Sequence, residues 1–387
     1  MRGAIKALMG WGLVMAMCVQ GAQAQMPQPP EIQAKAFLLL DVTANQVLAQ
    51  SNPDMPIEPA SLTKLMTAYL VFDALKHKKI SIDQKMPVSV RAWKMPGSRM
   101  FIDPKMEVPV EDLIKGMIVQ SGNDATVALA EAVGGSVERF VELMNQQAKA
   151  LGMNNTQYAN PEGLTAPGHQ TTARDLSVLA ARLMQDFPKE KDYYAIKKYR
   201  YAGTPAANDT NRNLLLFKDP TVDGLKTGHT EAAGYCLIAT AHRPLFEKQE
   251  RRLLAVVLGA RSEQARAQEA QKLLNWGYTA FEGVRLFEAG KSVVTAKVWK
   301  GGQNEVGLGS VKDIIVAVPH GSATRIKTEA AYHTPVLAPL TSGQVLGELK
   351  VSLDGQPWAT VPLASLIAVD QAGWLGRTWD SIRLWIQ

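Results

Sequence analysis

The chain has 387 residues, 46% of them apolar and 20% charged, enough to bury a substantial core and too long for one domain of average size. A disordered tail and a disulfide-stapled mini-protein are both excluded. The formal charge of +6 rests on 42 basic against 36 acidic residues, a weak excess that gives no reason to invoke nucleic acid.

Arg2 and Lys6 precede an apolar run over residues 8–19, which closes on the small-residue site Ala22-Gln23-Ala24. This pattern predicts a cleavable secretory signal over residues 1–24. Cys18 falls inside it and only Cys236 remains, so no intramolecular disulfide can form. Met17 is bulky, and the Ala-Gln-Ala site explains the segment better than acylation of Cys18 would.

Residues 36–50 read as two strands, AFLLLDV and QVLAQ, joined at Thr43-Ala44-Asn45 as a hairpin. After a Pro-containing stretch, Leu62, Leu65, Met66, Tyr69 and Leu70 recur at the spacing of one buried helix face, which predicts a helix starting near Ser61. Residues 110–151 and 172–185 are helix-rich; VDGLKTG, GYCLIATA and RLLAVVLGA are strand-like; an amphipathic helix follows over residues 263–276. Helices enclosed between early and late strands predict one α/β domain over residues 25–277. Beyond it, SVVTAKVWK, DIIVAVP, TRIKTEAAY and GELKVSLDG predict a small all-β domain over residues 278–366.

The last segment, residues 367–387, is amphipathic. Trp374, Leu375, Thr378, Trp379, Ile382, Trp385 and Ile386 fall within an arc of roughly 140° on a helical wheel, with Arg377, Asp380, Arg383 and Gln387 opposite and Leu384 the exception. Such a helix lies in a lipid headgroup region and does not span it. The other use of the same face is docking on the β domain or on a partner.

Three short motifs occur in order: Ser61-Leu62-Thr63-Lys64, Ser121-Gly122-Asn123 and Lys226-Thr227-Gly228. Singly each is weak. Alone, Ser61 reads as a helix N-cap and Ser121 as a turn residue capping the next helix. Placed at a helix start, at a second helix start and in a strand, the three together signal serine acyl transfer. The spacing i to i+3 sets the Lys64 amine beside the Ser61 hydroxyl. Burial and a second cation, Lys226, would disfavour its charge and make it a general base. The Ser61 N–H at the helix start is free to bind an oxyanion. Ser121 can pass a proton to a leaving amine, and Asn123 can hold an amide or the Lys64 head. Lys226 and Thr227 on a strand edge suit a substrate carboxylate, and Gly228 leaves that edge open to an extended peptide. The six histidines show no metal-ligand spacing, and neither a metal nor a cofactor is expected.

Together with EPASLTKLMTAYLV, QSGNDATVALAE, NPEGL, TTARDL and LKTGHTEAAGYCLIATA, these motifs make the chain resemble the low-molecular-mass penicillin-binding proteins of the D-alanyl-D-alanine carboxypeptidase group, the penicillin-binding protein 5 and 6 type. The resemblance implies an α/β catalytic domain with an antiparallel sheet flanked by helices, then an all-β domain and an amphipathic helix. It implies attack by Ser61 on the bond between the terminal D-alanines of a peptidoglycan stem pentapeptide, with Lys64 as base and Ser121 and Asn123 as the second catalytic element. Lys226 and Thr227 would receive the carboxylate, and the backbone N–H groups of Ser61 and His229 would form the oxyanion hole. His229 bears on deacylation or is structural. Arg212 and Arg261 sit where the family places arginines near the site, or form surface ion pairs. β-Lactams would acylate the same serine. The expected location is the periplasmic face of a bacterial inner membrane, held by the C-terminal helix.

Two other functions fit parts of the pattern. A class A β-lactamase would need a glutamate to activate water, and no E-x-x-L-N segment lies between the second and third motifs. A non-catalytic cell-wall scaffold would not need intact Ser61, Lys64 and Lys226.

Overall fold

The computed structural model describes residues 26–386; the expected signal, residues 1–24, lies outside them. A hairpin of β1 (Ala36–Asp41) and β2 (Gln46–Ser51) joins α1 (Lys64–Lys76), a short hairpin of β3 (Lys85–Pro87) and β4 (Glu107–Pro109) spanning α2 (Val90–Trp93), then α3 (Val110–Val119), α4 (Asn123–Gly134), α5 (Val137–Ala150), α6 (Ala173–Asp186) and α7 (Leu215–Lys218). The chain returns through β5 (Val222–Thr230), β6 (Gly234–Phe246) and β7 (Gln249–Ala260) to α8 (Glu263–Ala280). The sheet is antiparallel in the order β2-β1-β7-β6-β5, so the strand carrying Lys226 is an edge.

Period-2 alternation divides this sheet between two cores. Leu38, Leu40, Leu254 and Val256 face a core shared with α1, α3, α4, α5 and α6. Phe37, Leu39, Leu253 and Ala255 face the opposite layer with α8. Coverage of both faces explains why AFLLL is an unbroken apolar run. α1 runs through the first core and is buried on nearly every side, Lys64 included.

α8 continues four residues past the predicted Trp276, to Ala280. Gly277 does not stop it, because that position packs directly on the sheet, where a Cβ would come 2.7 Å from Leu39 and 2.8 Å from Leu253. Strands β8 (Phe281–Phe287), β9 (Ser292–Trp299), β10 (Glu305–Gly309), β11 (Ile314–Pro319), β12 (Ile326–Tyr332), β13 (Val336–Leu337), β14 (Val345–Leu353) and β15 (Gln356–Ser365) then form a separate core. Their sheets run β12-β14-β15-β10-β9-β13 and β11-β8. The two parts meet at Gln46, whose side-chain amide accepts from the Ala317 N–H at 2.7 Å and donates to its carbonyl at 3.4 Å.

The terminal helix α9 (Trp374–Ile386) rests on the β domain through the face opposite its tryptophans. Asp380 accepts a 2.6 Å hydrogen bond from the Lys300 N–H, and Leu384, the exception on the wheel, lines a cleft with Trp299 and Tyr332. Trp374, Trp379 and Trp385 remain 69%, 57% and 89% exposed. No helix among the described residues is long and apolar enough to cross a membrane.

Candidate active site

Ser61 lies in a 3₁₀ turn, Ala60–Thr63, and Lys64 begins the α-helix. A 3₁₀ turn has three residues per turn, so positions i and i+3 eclipse, and the Lys64 amine comes 3.0 Å from the Ser61 oxygen. Neither serine caps a helix: no side-chain cap bond forms at the start of the 3₁₀ turn, of α1 or of α4. That removes the capping explanation for Ser61 and Ser121.

The Lys64 amine also donates to Asn123 Oδ1 at 2.7 Å and to the Glu162 carbonyl at 2.5 Å. Asn123 is held in turn by its own donation to the Pro96 carbonyl at 2.7 Å. Across the cleft, Lys226 donates to Ser121 Oγ and to the Thr227 carbonyl, each at 3.0 Å. Ser121 occupies the left-handed region with φ of 60°, which the short link from α3 to α4 requires. Thus the three motifs, far apart in sequence, converge on one cleft.

Burial brings the Lys64 ammonium down from 10.5 to about 7; the Glu162 and Asp124 carboxylates oppose this, and Arg212 adds to it. Burial also drives Lys226 well below its ordinary value, aided by the charges of Lys64, Arg212 and Arg266. An amine poised near neutrality, 3.0 Å from a hydroxyl, can take that hydroxyl's proton and generate an oxygen nucleophile.

The edge strand β5 closes against the serine turn. A Cβ at Gly228 would lie 3.2 Å from the Ser61 nitrogen, the Pro59 oxygen and the Ala60 Cβ, so any side chain there would push the strand away from the serine turn. His229 is exposed and stacks on Tyr235 with ring centroids 4.0 Å apart. Arg212 is exposed yet within electrostatic reach of both lysines. Arg261 occupies the exposed turn between β7 and α8.

Four supporting residues escape the sequence reading. Arg266, buried on α8, donates to the carbonyls of Gly228 at 3.3 Å and Arg212 at 3.4 Å, bracing β5 from beneath. An arginine on the same helix face as Ala270 and Leu273 is the signal that could have found it. Asp124 accepts from the N–H groups of Met100, Phe101 and Ile102 at 2.8, 2.7 and 3.2 Å and fixes the loop that carries Pro96. Glu162 belongs to NPEGL and meets Lys64 through its carbonyl; its side chain lines a separate cavity with Arg91 and Glu138. His169 reaches the serine turn through Thr63. Among the described residues no group of three or more His, Cys, Asp or Glu is placed to hold a metal.

Two family models match the chain: D-alanyl-D-alanine carboxypeptidase over residues 23–262, and the penicillin-binding protein 5 C-terminal domain over residues 281–371. D-alanyl-D-alanine carboxypeptidase DacC of Escherichia coli is 40% identical over 371 residues, 94% of this chain and 91% of that protein. Penicillin-binding protein 5 of Haemophilus influenzae superposes with a TM-score of 0.80 and 38% identity, covering 89% of this chain and 100% of that one. Penicillin-binding protein D2 of Listeria monocytogenes in its ampicillin-bound form superposes with a TM-score of 0.58 and 30% identity over 65% of this chain.

Proposed function

The chain belongs to the D-alanyl-D-alanine carboxypeptidase family of serine peptidases, and we propose that Ser61 is its nucleophile. The enzyme removes the terminal D-alanine of peptidoglycan stem pentapeptides through an acyl-enzyme and is acylated by β-lactams. The observation that carries the residue assignment is the Lys64 amine, buried and 3.0 Å from the Ser61 hydroxyl, facing Lys226 across one cleft.

In the proposed mechanism, free-amine Lys64 takes the Ser61 proton as Oγ attacks the penultimate D-alanine carbonyl. The oxyanion is held by the N–H groups of Ser61 and His229. Ser121, polarised by Lys226, passes its proton to the departing D-alanine nitrogen and recovers one from the Lys64 ammonium, which returns to the free amine. Water, deprotonated by Lys64, then cleaves the ester and restores Ser61. Asn123 orients Lys64 and the substrate amide; Lys226 and Thr227 receive the terminal carboxylate, with Arg212 adding positive potential. The close approach of β5 to the serine turn supports peptide binding along that edge, with Gly228 opposite the scissile bond.

The domain division read from the sequence, with an exported catalytic domain over residues 25–277, a β domain over 278–366 and a terminal anchor, belongs to the same reading. Three exposed tryptophans on a helix docked by its other face support attachment to a membrane surface. Labelled penicillin with peptide mapping tests the nucleophile: an adduct on Ser61, absent in Ser61→Ala, is expected, and an adduct elsewhere overturns it. Release of D-alanine from a pentapeptide tests the activity. Deleting residues 370–387 should leave labelling intact and free the protein from lipid vesicles; retained vesicle binding overturns the anchor.

A further inference from the structure

Glu58 lies two residues before the serine turn, half-buried, at the mouth of a cleft of about 490 Å³ that it lines with Pro56, Thr165, His169 and Gln170. One carboxylate oxygen accepts hydrogen bonds from Thr165 at 2.7 Å and from Thr230 at 3.1 Å. These two hydroxyls fix its position from opposite walls, one after NPEGL and the other at the end of β5. Among the described residues no Lys, Arg or His forms an ion pair with it. A carboxylate anchored by neutral donors keeps its negative charge available to an incoming cation.

Its place along β5 says which part of a bound peptide it meets. Lys226 and Thr227 mark the carboxylate end of the cleft, and Gly228 lies against the Ser61 nitrogen. A peptide paired with this edge rises about 3.3 Å per residue. The residue before the two D-alanines lies one step, roughly 3.3 Å, beyond the residue that carries the scissile carbonyl, on the Thr230 side of Gly228, and a long side chain covers the remaining distance. Resting on the functional reading above, we infer that Glu58, held by Thr165 and Thr230, forms a subsite for the free side-chain amine of a diamino acid at the third position of the stem peptide.

The test compares two stem pentapeptides, one with L-lysine at the third position and one with Nε-acetyl-lysine, in D-alanine release by the full-length protein. The wild type should favour the free amine in kcat/KM by roughly three- to tenfold, the range of a partly exposed charge pair. In Glu58→Gln that ratio should fall to about one, and in Glu58→Lys it should invert. Because the readout is a ratio within each protein, partial loss of folded material does not move it, and a full equivalent of bound benzylpenicillin reports the folded fraction. Equal turnover of the two peptides by wild type, or a ratio unaltered in both variants, overturns the subsite while leaving the acyl-transfer assignment standing. If wild type neither binds benzylpenicillin nor releases D-alanine, the functional reading fails and takes the subsite with it.

Discussion

The imidazole Nε2 of His169 stands 2.9 Å from the hydroxyl of Thr63. The other ring nitrogen accepts from the Ala159 N–H at 2.9 Å, so Nε2 carries the proton and donates to Thr63, whose hydroxyl donates to the Ala60 carbonyl at 2.7 Å. Ala60, in the left-handed region at φ of 48°, directly precedes the nucleophile. His169 thus holds the serine turn through a buried relay. His169→Ala leaves Thr63 and the Ala159 N–H short of partners and should cost about 1–3 kcal/mol in urea unfolding; slower penicillin acylation per folded molecule is expected alongside.

The same histidine gives stability a pH dependence. Burial lowers it from 6.5 to about 4, so between those values the unfolded chain binds the proton and the folded one does not. Stability from this residue is therefore full above 6.5 and declines on acidification toward 4, by about 1.4 kcal/mol per pH unit. Thermal unfolding of wild type should fall more steeply over that window than that of His169→Gln. Parallel curves would count against the buried neutral imidazole.

Acylation by a β-lactam should rise with pH through about 7 as Lys64 loses its proton. The Glu162 carboxylate favours the ammonium form of Lys64. Glu162→Gln removes that charge and keeps the carbonyl that Lys64 contacts, so the rising limb should move to lower pH. Stopped-flow acylation rates across pH check this, and a limb moved upward contradicts the assignment.

Two glycines should fail in different ways. Gly228→Ala places a methyl 3.2 Å from the Ser61 nitrogen, a contact that a small shift of β5 relieves; acylation should drop by about 10²-fold with the melting temperature nearly kept. Gly163→Ala places one 1.8 Å from the Ala60 oxygen at a φ of 91°, against rigid backbone. That variant should lose several kcal/mol, roughly 3 or more, read by calorimetry. Equal effects of the two changes on melting would argue against this distinction.

Gln46→Ala removes both bonds to Ala317. Calorimetry should then show the β domain melting apart from the catalytic sheet, while penicillin labelling of Ser61 is retained. A single unchanged transition would mean that Gln46 does not couple the two parts.

Ser61, Lys64 and Lys226 were legible because the chemistry is written in short motifs whose spacing matches a helical turn or a strand. The bracing groups were not. Asp124 bonds backbone more than twenty residues away and His169 reaches Thr63 across |i−j| of 106, so neither leaves a local pattern. Arg266 could have been read from its place on the apolar face of α8, whereas Arg261 and Arg212 drew attention through family position. The helix boundary at Trp276 was missed because packing against Leu39 overrides the tendency of Gly277 to end a helix. The amphipathic tail was legible, and the exception on its wheel proved to be the docking contact.

Ser121 separates two buried amines only in part, since Lys226 feels the charge of Lys64. An anion seated against Lys226 would favour its charged form against the burial that lowers its proton affinity, and charge held there disfavours the ammonium form of Lys64. The two amines thus act as one unit: the carboxylate that Lys226 receives also bears on the base that prepares Ser61 to attack the neighbouring peptide bond.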